Sequence, residues 1–190
     1  MMQPNAIAVS PDGSRAYVAS HVAMPGSFVF ILDLNTMRFT GTSIAVGAFP
    51  AGMAITPDGT QLWVSSRGDS RVDVFDTATN QTLAGFGNLL STGVAINPTG
   101  TRAYLLAGVS PGTVTVVDTS TFNFVATIPV GNFPHAVVVT STGRHVYVTN
   151  ALSNSISLID AVGNKVIRTI SLKGQHPLGL ALVANGSLLR

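Results

Sequence analysis

Apolar residues along this chain fall in short runs, each closed by the same kind of turn signal. Ala6-Ile7-Ala8-Val9, Met53-Ala54-Ile55, Val94-Ala95-Ile96 and Ala136-Val137-Val138-Val139 are such runs. They are followed by Ser10-Pro11-Asp12-Gly13, Thr56-Pro57-Asp58-Gly59, Asn97-Pro98-Thr99-Gly100 and Thr140-Ser141-Thr142-Gly143. Runs this short, rich in β-branched residues and bounded by Pro, Asp and Gly, predict strands joined by tight turns. Proline presets φ, and glycine takes the left-handed conformation that closes a hairpin. No stretch has the 3.6-residue spacing of an amphipathic helix, which excludes α/β folds.

The runs belong to a longer repeat. Copies start at residues 4, 50, 91, 134 and 177, separated by 46, 41, 43 and 43 positions. Four residues after each of the first four turn glycines comes an aromatic: Tyr17, Trp63, Tyr104 and Tyr147. Further on, an Asp ends another apolar run in each copy: Asp33, Asp76, Asp118 and Asp160. Each copy therefore reads as four strands, with the aromatic on the second and the Asp after the third. The Asp-Thr-x-Thr turn that follows (Asp76-Thr77-Ala78-Thr79) predicts a carboxylate capping nearby backbone N–H groups.

A strand in a one-faced sheet alternates apolar and polar residues, whereas Ala136–Val139 is apolar on both faces. Such a sheet needs cover on both sides, which face-to-face stacking of four-stranded blades supplies. A β-sandwich does not predict a landmark-preserving period. The expectation is an all-β fold, a β-propeller domain spanning residues 1–190. Its blades are 4–49, 50–90, 91–133 and 134–176, with a partial blade at 177–190 that holds the first strand of a fifth. Four complete blades plus part of another suggest an open arc of a larger propeller, propellers running from about four to eight blades.

Composition narrows the function classes. Hydrophobic residues make up 46% and charged residues 9% of the chain, so little of it is solvated tail. The net charge of +2 comes without any Lys/Arg cluster, which gives no support for nucleic-acid binding. There is no cysteine, hence no disulfide or thiol chemistry. No apolar run approaches membrane-spanning length, and Met1-Met2-Gln3-Pro4 lacks the pattern of a signal peptide, so the segment is expected to be soluble.

Val146-Tyr147-Val148-Thr149-Asn150, with Ser10-Pro11-Asp12-Gly13 and Asp76-Thr77-Ala78-Thr79-Asn80 in register, resembles the YVTN β-propeller repeats. The resemblance covers residues 4 to 186. It implies an arc of a propeller of about seven blades, a repeat module of a bacterial or archaeal protein that is secreted, periplasmic or on the cell surface. Similar repeats occur in lactonase-like and quinoprotein-like propellers.

Catalytic sets are hard to assemble. The chain has eight acidic residues, all Asp, and six of them are repeat landmarks, which leaves Asp69 and Asp73. Asp73 reads as a strand-face residue and Asp69 as a solvated loop charge. No Gly-x-Ser-x-Gly elbow occurs, and no metal or cofactor is expected. The second-to-third-strand loops vary in length and composition while the turn face is constant, so a binding face is expected there. The candidates are His21 in the first such loop, Arg67 and Asp69 in the second, Asn154 in the fourth, and His135 and His176 at two blade entries near the channel mouth. Arg67-Gly68-Asp69 matches a cell-adhesion tripeptide, and Asn80-Gln81-Thr82 and Asn185-Gly186-Ser187 match glycosylation sequons. The expected role is a non-catalytic module binding a protein or glycan. The alternatives are a fragment of a lactonase-like or quinoprotein-like enzyme and a structural spacer. Partners could also include another copy, or further blades of the same protein, through open blade edges.

Overall fold

The computed structural model describes residues 3–21 and 26–182. They form four four-stranded sheets, each built from strands consecutive in sequence. The first contains β1 (Gln3–Val9), β2 (Arg15–His21), β3 (Ser27–Asp33) and β4 (Arg38–Val46). The second contains β5 (Pro50–Ile55), β6 (Gln61–Ser66), β7 (Arg71–Asp76) and β8 (Thr82–Phe86). The third contains β9 (Ser91–Ile96), β10 (Arg102–Ala107), β11 (Thr113–Asp118) and β12 (Phe124–Pro129). The fourth contains β13 (Pro134–Val139), β14 (His145–Asn150), β15 (Ser155–Asp160) and β16 (Lys165–Ser171). No helix among the described residues is long and apolar enough to cross a membrane. Of the fifth copy, residues 177–181 have no regular structure and Leu182 makes a single bridge. Residues 183–190, with the sequon Asn185, lie outside the described residues, as do Val22 to Pro25 of the first variable loop.

The turns form as their chemistry requires. Gly13, Gly59, Gly100 and Gly143 all have φ between 69° and 76°, the left-handed region that a side chain resists. Asp33, Asp76, Asp118 and Asp160 each accept backbone N–H groups from two and three residues ahead. Four residues after each of these Asp comes a non-glycine residue of positive φ: Met37, Asn80, Phe122 and Asn164. All four carboxylates thus cap local backbone, and Asp118 also pairs with the Arg102 guanidinium. Asp12 and Asp58 serve the other turns in the same way, accepting from Ser14 and Thr60 N–H. Serine and threonine donors hold the Asp12, Asp58, Asp76 and Asp118 carboxyls below their ordinary range, Asp12 at about 2.

Two compact units divide between Ser91 and Thr92. In the first, Tyr17, Ala19, Val29 and Ile31 of the first sheet pack on Leu62, Val64 and Phe75 of the second. In the second unit, Tyr104, Leu106, Val114 and Val116 pack on Val137, Val146, Val148 and Ile159. The two cores use the same repeat positions: within each unit, the aromatic-bearing face of one sheet meets the opposite face of the next. That opposite face of the first sheet is exposed: Ile7 is 62% and Val9 52% accessible, whereas Val137, the counterpart of Ile7 in the fourth sheet, is 9%.

Candidate functional site

The first strands β1, β5 and β13 each carry a bulge after their opening proline, between Pro4 and Ala6, Pro50 and Gly52, and Pro134 and Ala136. A bulge leaves one residue out of the ladder and re-aims its side chain. The re-aimed residues are Asn5, Ala51 and His135. Asn5 Nδ2 donates to the Pro50 carbonyl at 3.4 Å, and His135 Nδ1 meets the Leu178 carbonyl at 2.7 Å. At the same repeat position in β9, Thr92 Oγ1 donates to the Pro134 carbonyl at 2.7 Å. His135 is therefore one of a series of polar staples that reach the opening of the next copy. His176 behaves comparably, its Nδ1 lying 3.0 Å from the Ala151 carbonyl. Since a carbonyl only accepts, both rings carry a proton on Nδ1 and have Nε2 as the remaining nitrogen.

His21 corrects the sequence reading. It is the last residue of β2 rather than a loop residue, and it is half-buried. Its ring stacks on Phe49 with centroids 4.2 Å apart and planes 22° from parallel. Phe49 sits in the link between the first two sheets, with φ of 52°, and Phe133 occupies the matching link with the same φ. A bulky residue is rarely found in that region, and holding it there costs about 1–3 kcal/mol.

A clamp holds each link in place. Arg67 N–H donates to the Phe49 carbonyl at 3.0 Å and Gly68 N–H to the Ala48 carbonyl at 2.9 Å. Ala48 N–H in turn donates to Asp69 Oδ2 at 2.7 Å. The second unit repeats the pattern: Ala151 N–H to Phe133 O, Leu152 N–H to Asn132 O, and Asn132 N–H to Ser153 Oγ at 2.7 Å. Asp69 is exposed but bonded, so it is not the freely solvated charge expected from sequence. Arg67 shares the same loop. Asn154 takes a positive φ of 47°, and its carbonyl accepts from Leu172 N–H. Its Oδ1 is buried without a partner.

Beside each clamp lies a polar cleft at the same repeat position. One of about 250 Å³ is lined by Gly47, Asp69, Arg71 and Asp73. Its counterpart, of about 500 Å³, is lined by Gly131, Ser153, Ser155 and Ser157. Asp73 is buried and its Oδ1 takes Arg71 Nε–H at 3.0 Å and a second guanidinium N–H. The glycines are required here. A Cβ on Gly47 would lie 2.6 Å from Ser66 Cβ, and one on Gly131 would lie 2.7 Å from Asn150 Cβ. Ser66 Oγ and Asn150 Oδ1, both fully buried, have no hydrogen-bond partner. A third cleft, of about 480 Å³, opens on the turn face between Asp12, Arg15, Tyr17, Asp58 and Thr77. Among the described residues no group of three or more His, Cys, Asp or Glu could hold a metal ion.

Solved structures decide the architecture. The chain superposes on Kuenenia stuttgartiensis hydrazine synthase with a TM-score of 0.84 and 25% identity, over 96% of this chain and 53% of that one. It also matches the β-propeller domain of Cps50 (Swd1) from Myceliophteria thermophila, with a TM-score of 0.80 and 15% identity, over 96% and 60%. The fold is a β-propeller. By sequence, the chain is 26% identical to YncE of Salmonella typhi, named as an uncharacterized protein, over 99% of this chain and 53% of the relative. It is 34% identical to the seven-bladed β-propeller protein Rv1057 of Mycobacterium tuberculosis, over 57% of this chain and 28% of the relative. The chain thus spans about half the length of YncE and less of Rv1057. No protein-family model matches it. The four sheets are propeller blades.

The sequence reading missed Phe49, Phe133 and the Arg71–Asp73 pair. The phenylalanines had a signal in the recurrence of Val46-Gly47-Ala48-Phe49-Pro50 as Val130-Gly131-Asn132-Phe133-Pro134.

Proposed function

We propose that this chain is a non-catalytic β-propeller repeat module, of the YVTN kind, that binds a protein or glycan through its loop face. Phe49 carries the reading: a ring 53% accessible is held on a strained backbone by a three-bond clamp. Strain of that kind persists where the surroundings over-determine it, and it gathers at ligand clamps. The landmark carboxylates are occupied in turns, which also favours binding over catalysis. The resemblance to YVTN repeats supports a module of a secreted, periplasmic or surface protein. The open face of the first blade, with Ile7 and Val9, suits cover by another blade, from this protein or a second copy.

The test is co-sedimentation of the chain with bacterial cell-envelope preparations. A Phe49→Asn variant should lose retention, while an Asp58→Asn variant on the turn face should keep it. Loss with the turn-face variant alone would overturn the assignment. An enzyme-fragment reading draws on the likeness to hydrazine synthase, which covers 53% of that chain. Turnover in a lactone-hydrolysis screen, with or without divalent metal, would favour it over the binding module.

A further inference from the structure

We infer that a second copy of this chain covers the open face of the first blade, using the aromatic-bearing face of its own fourth blade. This rests on the reading that another blade covers Ile7 and Val9, and it commits that cover to one occupant. Inside each unit the joint between blades has two halves. The donor half is an aromatic-bearing face, with Tyr17, Val29 and Ile31 in the first blade and Tyr104, Val114 and Val116 in the third, all 3% accessible or less. The receiving half is the opposite face of the next blade, with Val64 in the second and Val137 and Val148 in the fourth.

The chain leaves one half of each kind uncovered. On the fourth blade, Tyr147, Ile156 and Leu158 hold the positions of Tyr104, Val114 and Val116, yet all three are only half-buried. On the first blade, Ile7 and Val9 are the exposed receiving half. A donor half on one copy and a receiving half on another can therefore repeat the joint that each unit already contains. Four strands about 4.8 Å apart and six residues of about 3.3 Å each make a face of roughly 400 Å². One such joint hides both halves, roughly 800 Å², and a pair engaged at both ends hides about 1,600 Å², the size of a standard specific interface.

The exposed receiving half also differs from the covered ones in a way that suits this partner. Phe30 pairs with Val18 as Asp73 pairs with Val64 and Ser157 with Val148. Phe28 stands where the other two blades carry Arg71 and Ser155. Inside the units these polar residues border a cleft whose other wall is the link from the preceding blade, Val46-Gly47 or Val130-Gly131. The first blade has two half-buried phenylalanines there, with ring centroids 6.1 Å apart, and Phe39 lies edge-on to Phe30 at 6.2 Å. Leu172 is the counterpart of Val130, since its N–H donates to the Asn154 carbonyl as Val130 N–H donates to the Gly112 carbonyl. Leu172 of the second copy is the apolar wall that meets Phe28 and Phe30. The joint between copies is thus apolar where the internal joints are polar, and aromatic residues without charge mark the core of an interface.

Sedimentation velocity of the full chain over a wide dilution series tests this. The parent should sediment as two or more copies at the concentrated end. Ile7→Asp on the receiving half and Leu158→Asp on the donor half should each weaken association about tenfold or more, as expected at the centre of an interface. Mixed together, the two variants should form a one-to-one pair, because the intact donor half of one meets the intact receiving half of the other. Circular dichroism and a thermal midpoint equal to the parent's show that the variants fold, and Leu158→Thr takes the place of Leu158→Asp if the charge unfolds the blade. A parent that stays a single copy throughout, association that survives either variant, or a mixture that does not pair would each overturn the proposal. Envelope retention is read separately: a single-copy parent whose retention is lost with Phe49→Asn would sink this inference and leave the loop-face module standing.

Discussion

Val18 and Val64 occupy the same repeat position, one residue after the aromatic, and differ in what covers them. Val64 is fully buried between the second blade and the first. Val18, on the uncovered side of the first blade, is half-buried and pairs with Ile7 and Phe30. Replacing either with alanine removes two methyl groups. At about 0.8 kcal/mol for each buried methylene-sized group, the transfer loss at Val64 is roughly 1.6 kcal/mol. The cavity left in a packed core adds about 24 cal/mol per Å³, which brings Val64→Ala to about 2–3 kcal/mol. Val18 loses part of the transfer contribution and leaves no closed cavity, so Val18→Ala should cost about 1 kcal/mol or less. Urea unfolding of dilute protein measures both. Trp63, the single tryptophan of the chain, reports on the same unit. With a slope of about 1–3 kcal/mol/M, the midpoint of Val64→Ala should fall by roughly 0.7–3 M. Equal losses for the two variants would refute the claim that blade-on-blade cover, and not position within the sheet, sets the energetics. Val148→Ala, fully buried at the matching position of the second unit, should behave like Val64→Ala.

Two further outcomes follow from the same geometry. Gly131→Ala should destabilise the chain by about 1–3 kcal/mol, the usual cost of overpacking, because its Cβ would press on the buried Asn150 side chain. Thermal unfolding reads this directly. Stability should also fall with acid. Asp12, Asp58, Asp76 and Asp118 have depressed folded-state values against an ordinary 3.8, so the unfolded chain binds protons first as pH drops. The stabilisation is complete above about pH 5 and is lost progressively toward pH 2, so the thermal midpoint at pH 3 should lie below that at pH 6, with a smaller difference in Asp58→Asn.

The blades were legible in the sequence because their punctuation is local. Pro-Asp-Gly and Asp-Thr-x-Thr act on backbone atoms within a few residues, so Asp58 and Asp76 could be assigned to turns from the chain alone. The clamps were not legible, because they join segments that only the fold brings together: Asp69 reaches back to Ala48, and Ser153 to Asn132. His135 shows the same limit. Its place at a blade entry makes it a binding-face candidate in the sequence, while its partner is a carbonyl one repeat away. Phe49 reads as an ordinary apolar residue until its backbone is known to be left-handed.

The order of strands within each blade has a kinetic consequence. Every strand pairs only with its neighbours in sequence, through turns and short loops. Few contacts wait on distant parts of the chain, and topologies of that kind avoid the loop-closure entropy that slows other all-β folds. A blade can close as soon as its own four strands have left the ribosome, then serve as the template on which the next one condenses. Assembly from the N-terminus would keep each unfinished edge short-lived, which limits the time during which an apolar face is open to aggregation.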